Sequence, residues 1–191
     1  MRFIAYSYVI MDTHHRCCFK LKRYGIKDPL LSWFKSYLSN RVQQVRVGKT
    51  LSDAINVTSG VPQGGVLAPL LFKIHINDLP LLLEHHSLDV RVSMFADDMK
   101  LSRIITTLDD AAILQKAIDK TFEWCNNNAM SLNINKCKVI SFKRRKVLIE
   151  TEYNIDNQSL MKVDHIRDLG VILDSKLNFK KHIDKIVTSG K

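Results

Sequence analysis

Two adjacent aspartates, Asp97 and Asp98, lie between two segments that have the residue pattern of β-strands. Apolar and polar residues alternate over 90–94, and 99–105 can form a second strand that pairs back on the first. Because neighbouring side chains of a strand point to opposite faces of a sheet, a regular strand would bury one of the two carboxylates. The pattern therefore predicts a hairpin whose turn holds both carboxylates at the rim of the sheet.

The rest of the chain combines helices with short strands in an irregular order. Gly and Pro mark 59–65 as a loop, Pro80 is expected to end or kink the helix before it, and Thr107 with Asp110 resembles a capping box. Since strands and helices do not alternate strictly, we predict an α+β fold, one domain with an antiparallel sheet and helices on one face. The predicted strands are 3–10, 41–47 and 51–58, with short strands up to 173, and the predicted helices are 14–24, 28–40, from about 68, 108–125 and 177–188.

The charge of the chain is strongly positive. Lys and Arg number 29 against 19 Asp and Glu, which gives a formal net charge of +10. A globular domain this basic is a candidate for a polyanionic partner, most commonly nucleic acid, although a basic protein at a membrane surface would have a similar charge. No apolar run approaches the roughly 18 residues that a membrane-spanning helix needs, and we predict no membrane partner.

The cysteines and the N-terminal segment bear on the cellular compartment. The four cysteines Cys17, Cys18, Cys125 and Cys137 form no C-x-x-C pair and have no spacing typical of a zinc site. Buried, reduced thiols are therefore expected, as in proteins of the nucleus or cytoplasm. The apolar run 3–11 has the length of a signal segment, but no small-residue cleavage site follows it, so we interpret it as a buried strand and expect no secretion.

The paired carboxylates have two interpretations. Divalent metals take oxygen ligands, and two Mg²⁺ ions about 3.5–4 Å apart can hold the attacking and leaving oxygens of a phosphoryl transfer. An Asp-Asp dipeptide is also an ordinary turn pair. Asp109 and Asp110, at a predicted helix start, are explained by the helix dipole alone. The dipeptide by itself leaves both interpretations of Asp97 and Asp98 open.

The order of several segments is more specific than the dipeptide. A loop rich in Gly and Pro opens a helix, the carboxylate hairpin follows, and an amphipathic helix and the segment 132–136 come next. This order resembles the reverse transcriptase domain of non-LTR retrotransposons, most closely the jockey-like group, from about Cys17 onwards. The similar segments are a degenerate motif A region at 1–16, motif B at 59–80, motif C at 90–103, motif D at 108–142 and a primer-grip-like region at 163–185.

The resemblance implies a fold and an activity. The fold would be the reverse transcriptase palm, an α+β layer with a small antiparallel sheet, without fingers and without most of the thumb. The activity would be RNA-directed DNA polymerisation, in which Mg²⁺ assists nucleotide transfer from dNTPs to a DNA primer on an RNA template. Asp97 would be the motif C metal ligand and Asp98 a weaker or structural partner, and Lys136 would face the pyrophosphate leaving group as a general acid.

The resemblance also implies contacts with nucleic acid. Because glycine allows the closest backbone approach, the motif B loop would lie against the templating base and the incoming nucleotide. The loop residues concerned are Pro62, Gln63, Gly64 and Gly65, and those of the primer-grip-like region are Leu169 and Gly170. Basic residues that are candidates for phosphate contacts are Arg41, Lys143, Arg144, Arg145 and Lys146. A solvated turn is the alternative for the run 143–146.

The chain departs from the family pattern at its N-terminal end. Alignment through 20–26 puts the catalytic aspartate of motif A at Ile4 and the aromatic residue that senses the sugar at Val9. Asp12, the nearest carboxylate, is about eight residues out of register, and Gly65 stands where the family usually has Ser. We therefore predict a truncated and inactive copy, which would associate with a full-length element protein. The alternatives are a non-catalytic basic module that binds nucleic acid and a functionless product of a retroelement.

Overall fold

A computed structural model describes residues 1–10, 14–62, 64–142 and 149–189 of the chain. The chain forms two compact units, each built from segments that are distant in sequence. The sheet unit comprises Met1–Tyr8, Leu82–Glu123 and Leu132–Lys191, and the helical unit comprises Val9–Leu81 and Trp124–Ser131. In the described part of the chain, no helix combines the length and the apolar character that crossing a bilayer requires.

The elements follow the irregular order that the sequence predicts. The helices are α1 (His14–Arg23), α2 (Leu30–Leu38), α3 (Ala68–Ile76), α4 (Asp78–His85), α5 (Leu108–Asn127) and α6 (Lys180–Ser189), with a short 3₁₀ turn, η1 (Ile134–Lys136). The strands are β1 (Arg2–Ile10), β2 (Arg41–Gln43), β3 (Arg46–Val47), β4 (Thr50–Leu51), β5 (Ile55–Val57), β6 (Arg91–Phe95), β7 (Asp98–Arg103), β8 (Met130–Leu132), β9 (Lys138–Ser141), β10 (Asn154–Ile155), β11 (Gln158–Ser159), β12 (Met161–Val163), β13 (His165–Asp168) and β14 (Val171–Asp174). The α+β class is confirmed.

The main sheet has β1 in its centre. Its strands run in the order β12-β9-β1-β7-β6, and β1 pairs antiparallel with both β7 and β9. The prediction of an antiparallel sheet is wrong at one edge, because β12 pairs parallel with β9. A parallel neighbour needs a crossover of a dozen or more residues, and the chain between Ser141 and Met161 is long enough to supply it.

The longest helix, α5, begins at the capping box that the sequence predicts. The Asp110 N–H donates to Thr107 Oγ1 at 3.1 Å, and the Thr107 N–H donates to Asp110 Oδ2 at 2.9 Å. Hydrogen bonds from Thr106 and from the Arg103 guanidinium hold the pKa of the Asp110 carboxyl far below its usual range. The face of the helix at Ala111, Leu114, Ala117 and Ile118 is buried, as its amphipathic pattern requires.

In the helical unit, α1 and α2 enclose an apolar core with α3. The buried members of this core are Cys17, Cys18, Leu21, Leu31, Phe34, Leu38 and Leu71. All four cysteines of the chain are buried and none is in a disulfide, as expected. The break predicted at Pro80 occurs earlier, at Asn77, because proline is tolerated in the first turn of α4. The predicted hairpin over 41–58 divides into two ladders, β2 with β5 and β3 with β4.

The last helix begins later than the predicted residue 177. The Asp174 carboxylate accepts hydrogen bonds from the backbone N–H groups of Lys176, Asn178 and Phe179, so it organises a turn where the sequence pattern indicated helix. Leu177 and Phe179 have positive φ angles of 57°, a conformation that a right-handed helix excludes. Helix α6 therefore begins at Lys180.

Candidate functional site

The carboxylate hairpin is formed by β6 and β7, as the sequence predicts. Phe95 pairs with Asp98, so that Ala96 and Asp97 make a two-residue turn. Ala96 has a φ of 49°, which is unusual for a residue with a side chain and is typical of the tight turns that join twisted strands. Asp97 is exposed at the turn and Asp98 is half-buried at the start of β7.

The neighbouring strand β1 brings no carboxylate to this hairpin. Its nine residues read RFIAYSYVI, and the residue paired with Asp98 is Ser7. The alignment position Ile4 lies three residue pairs further along, opposite Leu101 on one side and Val139 on the other. Ile4 is completely buried. The structure thus places the aligned position of the motif A aspartate in the core of the sheet and away from the hairpin.

Charged groups of the sheet unit surround Asp98. Burial raises the pKa of the Asp98 carboxyl, and the negative charges of Asp97 and Asp168 raise it further. The positive charges of Lys100 and Lys136 lower this pKa. Of the residues predicted from the sequence, Asp97 and Lys136 therefore lie within electrostatic reach of Asp98, and Lys136 is exposed on η1.

Sequence reasoning missed Asp168, although it named the two residues that follow it. Asp168 pairs with Val171 and so closes the β13–β14 hairpin, whose turn is Leu169 and Gly170. Both turn residues have positive φ, 45° and 89°, and the Leu169 side chain is 54% exposed. The Asp168 carboxylate forms an ion pair with Lys100 of β7. The Asp-Leu-Gly order is a turn signal, but only the fold shows what the aspartate contacts.

The resemblance implies Mg²⁺, but the residues around this hairpin do not fit a two-metal centre. Divalent metals of this kind need several oxygen ligands. Among the described residues, no group of three or more His, Cys, Asp or Glu side chains is arranged to hold a metal ion. Asp97 and Asp98 stand without a partner carboxylate on β1, and Asp168 is bound to an ammonium group.

Comparison with known proteins decides the family. The family described as reverse transcriptase (RNA-dependent DNA polymerase) matches residues 10–173. The chain belongs to the reverse transcriptase family. It is similar to the RNA-directed DNA polymerase from mobile element jockey of Drosophila melanogaster, 30% identical over 156 residues, which are 80% of this chain and 17% of the relative.

Two further relatives are also named for mobile elements. The probable RNA-directed DNA polymerase from transposon X-element of Drosophila melanogaster is 31% identical over 164 residues, covering 84% of this chain and 18% of the relative. The jockey polymerase of Drosophila funebris is 30% identical over 166 residues, with the same two coverages. The chain thus spans less than a fifth of the length of these relatives.

The loop predicted as motif B lies in the helical unit, and two of its glycines have a structural reason within this chain. Gly64 has a φ of 80°. A Cβ at Gly65 would lie 2.8 Å from Tyr37 Oη and 3.1 Å from the Pro62 carbonyl oxygen, which is too close. The closeness of the Tyr37 hydroxyl group explains why glycine suits this position. Pro62 is half-buried, and Gln63 lies outside the described residues.

The end of the segment predicted as motif B contacts α1 through polar side chains. Lys20 Nζ lies 2.8 Å from Asp78 Oδ1, and Asn77 Nδ2 donates to Tyr24 Oη at 2.8 Å. The Lys20 ammonium also lies 4.9 Å from the centre of the Trp124 ring, a cation–π contact. Burial lowers the pKa of Lys20, and Asp78 opposes this. In this chain, Asn77 and Asp78 therefore hold α3 and α4 against α1.

Of the basic residues that are candidates for phosphate contacts, the structure describes only Arg41. Arg41 begins β2, and its Nε is buried without a hydrogen-bond partner in the described part of the chain. Lys143, Arg144, Arg145 and Lys146 lie outside the described residues, as does Asp12. Asp97, Asp98 and Lys136 therefore lie in the sheet unit, while Arg41 and the loop predicted as motif B belong to the helical unit.

Proposed function

We propose that this chain is a reverse transcriptase palm that binds nucleic acid and does not itself synthesise DNA. The relatives are named RNA-directed DNA polymerases, and in a two-metal phosphoryl transfer two ions hold the attacking and leaving oxygens. Such a centre needs several oxygen ligands for its ions, more than the two carboxylates of one hairpin supply. One observation carries the proposal: β1, which pairs with the carboxylate hairpin, has no acidic residue at any of its nine positions.

The first prediction is that the purified chain does not extend a DNA primer on an RNA template with dNTPs and Mg²⁺ or Mn²⁺. Product is expected to equal that of the Asp97→Ala variant, because one carboxylate hairpin cannot hold both metal ions. Extension is measured by gel electrophoresis of a labelled primer. Dependable extension that disappears in Asp97→Ala would contradict the proposal.

Two variants test the structural explanation of this inactivity. Ile4→Asp is expected not to restore extension, because position 4 lies three residue pairs from Asp98. Ser7→Asp is the matched variant, since it puts a carboxylate at the strand position opposite Asp98. Extension gained by Ile4→Asp and not by Ser7→Asp would show that the aligned position, and not the paired one, completes the centre.

The binding half of the proposal rests on the net charge of +10. Binding to an RNA template or a DNA primer through phosphates releases counterions, so the affinity is expected to fall with salt whatever the sequence. On double-stranded DNA, log K should fall with log salt concentration by about 0.9 for each phosphate neutralised. Binding that does not depend on salt would exclude this mode.

The contribution of the basic run is tested by charge removal. Alanine at all four positions of 143–146 is expected to reduce the slope of log K against log salt by about 0.9 for each phosphate that the variant no longer neutralises. The matched control removes four exposed charges outside the segments similar to the family motifs, at Lys22, Lys27, Lys35 and Lys49. Fluorescence anisotropy with a labelled duplex measures both slopes. Equal slopes for the two variants would show that the run 143–146 makes no special contribution to phosphate binding.

A further inference from the structure

One of the enclosed charges beside the carboxylate hairpin is an ammonium group of the chain itself. The Lys100 side chain is only 11% exposed, and its ion-pair partner Asp168 is 20% exposed. A charge that is removed from water is costly unless an opposite charge and hydrogen bonds replace the water. Lys100 and Asp168 therefore depend on each other more strongly than an ion pair on an open surface would.

The position of Lys100 in β7 brings its side chain to the face on which Asp98 lies. The two residues are separated by one residue in a strand, so their side chains share a face of the sheet. The residues paired with Lys100 on the neighbouring strands are small, Ala5 on β1 and Ser93 on β6. Small neighbours leave room for the aliphatic part of a lysine to lie across the sheet towards Asp168.

We propose that Lys100 is the resident cation of the carboxylate cluster formed by Asp97, Asp98 and Asp168. Its ammonium group supplies the positive charge that a divalent ion supplies elsewhere in the family, and Asp168 anchors it there. The inference rests on the proposed function, because both start from a hairpin without a partner carboxylate on β1. It goes further by assigning these carboxylates a role, which is to dock the β13–β14 hairpin onto β7.

The first consequence is that the ammonium excludes divalent cations from the cluster. Mn²⁺ is the probe, and its binding to the full chain is measured by electron paramagnetic resonance of the free ion. Lys100→Met keeps most of the length of the side chain, removes the charge and releases the Asp168 carboxylate from its ion pair. We therefore expect Mn²⁺ to bind at least about tenfold more tightly than to the unchanged chain. The double variant Lys100→Met with Asp168→Asn is expected to lose that gain.

A matched control shows whether removal of any lysine charge has this effect. Lys120→Met removes a lysine that is ion-paired with Glu123 on α5, far from the cluster in sequence, and should leave Mn²⁺ binding unchanged. Binding to the unchanged chain as tight as to Lys100→Met would overturn the inference. That result would leave the proposed function standing as long as no primer is extended, so the two failures are distinguishable.

The second consequence is that the ion pair holds the β13–β14 hairpin, and its test leaves Lys100 unchanged. Asp168→Asn is expected to raise amide hydrogen exchange over 165–174 by at least about fivefold, because the hairpin no longer has its charged partner on β7. Asp164→Asn is the matched control, an exposed carboxylate next to the same hairpin, and should leave exchange unchanged. Equal exchange in Asp168→Asn and the unchanged chain would overturn the anchoring role.

Discussion

An aspartate introduced at Ile4 is expected to lower the free energy of unfolding by about 4 kcal/mol or more, which is a large part of the stability of a domain this size. Ile4 is completely buried and stands in one row with Leu101 and Val139 across three strands. The substitution removes apolar contacts from that row and puts a carboxyl group there without a hydrogen-bond donor supplied by either neighbour's side chain. Urea unfolding followed by circular dichroism measures the loss.

Three comparisons separate the causes. Ile4→Val is expected to cost about 1 kcal/mol, because it removes one methylene group and adds no polar atom. Ile4→Asn measures the cost of a polar group without charge, and the difference between Asn and Asp is the cost of the charge. Ser7→Asp is expected to cost much less than Ile4→Asp, because position 7 is the last pair of the β1–β7 ladder. A stability for Ile4→Asp within about 1 kcal/mol of the unchanged chain would contradict the burial of this position.

Local sequence patterns predicted the secondary-structure elements that carry the candidate site. Alternation around Asp97 and Asp98 predicted the β6–β7 hairpin, since adjacent carboxylates in a strand would leave one buried. The capping box at Thr107 and Asp110 predicted the start of α5, because its hydrogen bonds connect residues three apart. Such features are set by short stretches of sequence, and the structure retains them.

Pairing over long distances could not be predicted in this way. The register that puts Ser7, and not Ile4, opposite Asp98 depends on how β1 fits between β7 and β9. The Lys100–Asp168 pair joins residues 68 positions apart, and no local pattern of either residue indicates the other. Similarly, the closeness of Tyr37 to Gly65, which leaves no room for a Cβ, depends on the fold of the helical unit. The elements could be predicted from sequence, whereas the neighbours of the candidate site could not.

The stability of the helical unit is expected to fall in acid because of His75. This side chain is 3% exposed on α3, with its ring 6.4 Å from the Trp124 ring between centroids. Burial, and after it the positive charge of Lys20, lower the pKa of His75 to about 4. Asp78 and a backbone contact with Asn128 act in the opposite direction without overcoming the burial.

The direction of the pH effect follows from the two pKa values. In the unfolded chain His75 has its ordinary pKa of about 6.5, so between pH 6.5 and about 4 the unfolded chain binds a proton that the folded chain does not. The stabilising contribution of neutral His75 to the free energy of unfolding is therefore fully present above pH 6.5. It is lost as the pH falls towards 4. This difference between the two pKa values corresponds to a loss of about 3 kcal/mol in the free energy of unfolding over that pH range.

The experiment uses Trp124 as a local reporter. Trp33→Phe leaves Trp124 as the only tryptophan, and its fluorescence during urea unfolding is followed at pH 7 and at pH 4.5. In that background, His75→Leu is expected to remove most of the loss between the two pH values, because the side chain no longer takes up a proton on unfolding. His15→Gln, an exposed histidine of the same unit, should leave the loss unchanged. Equal losses of stability in acid for His75→Leu and its parent would contradict this prediction. The protonation that destabilises the unit would then belong to another group, and the packing of His75 against Trp124 would tolerate a protonated ring.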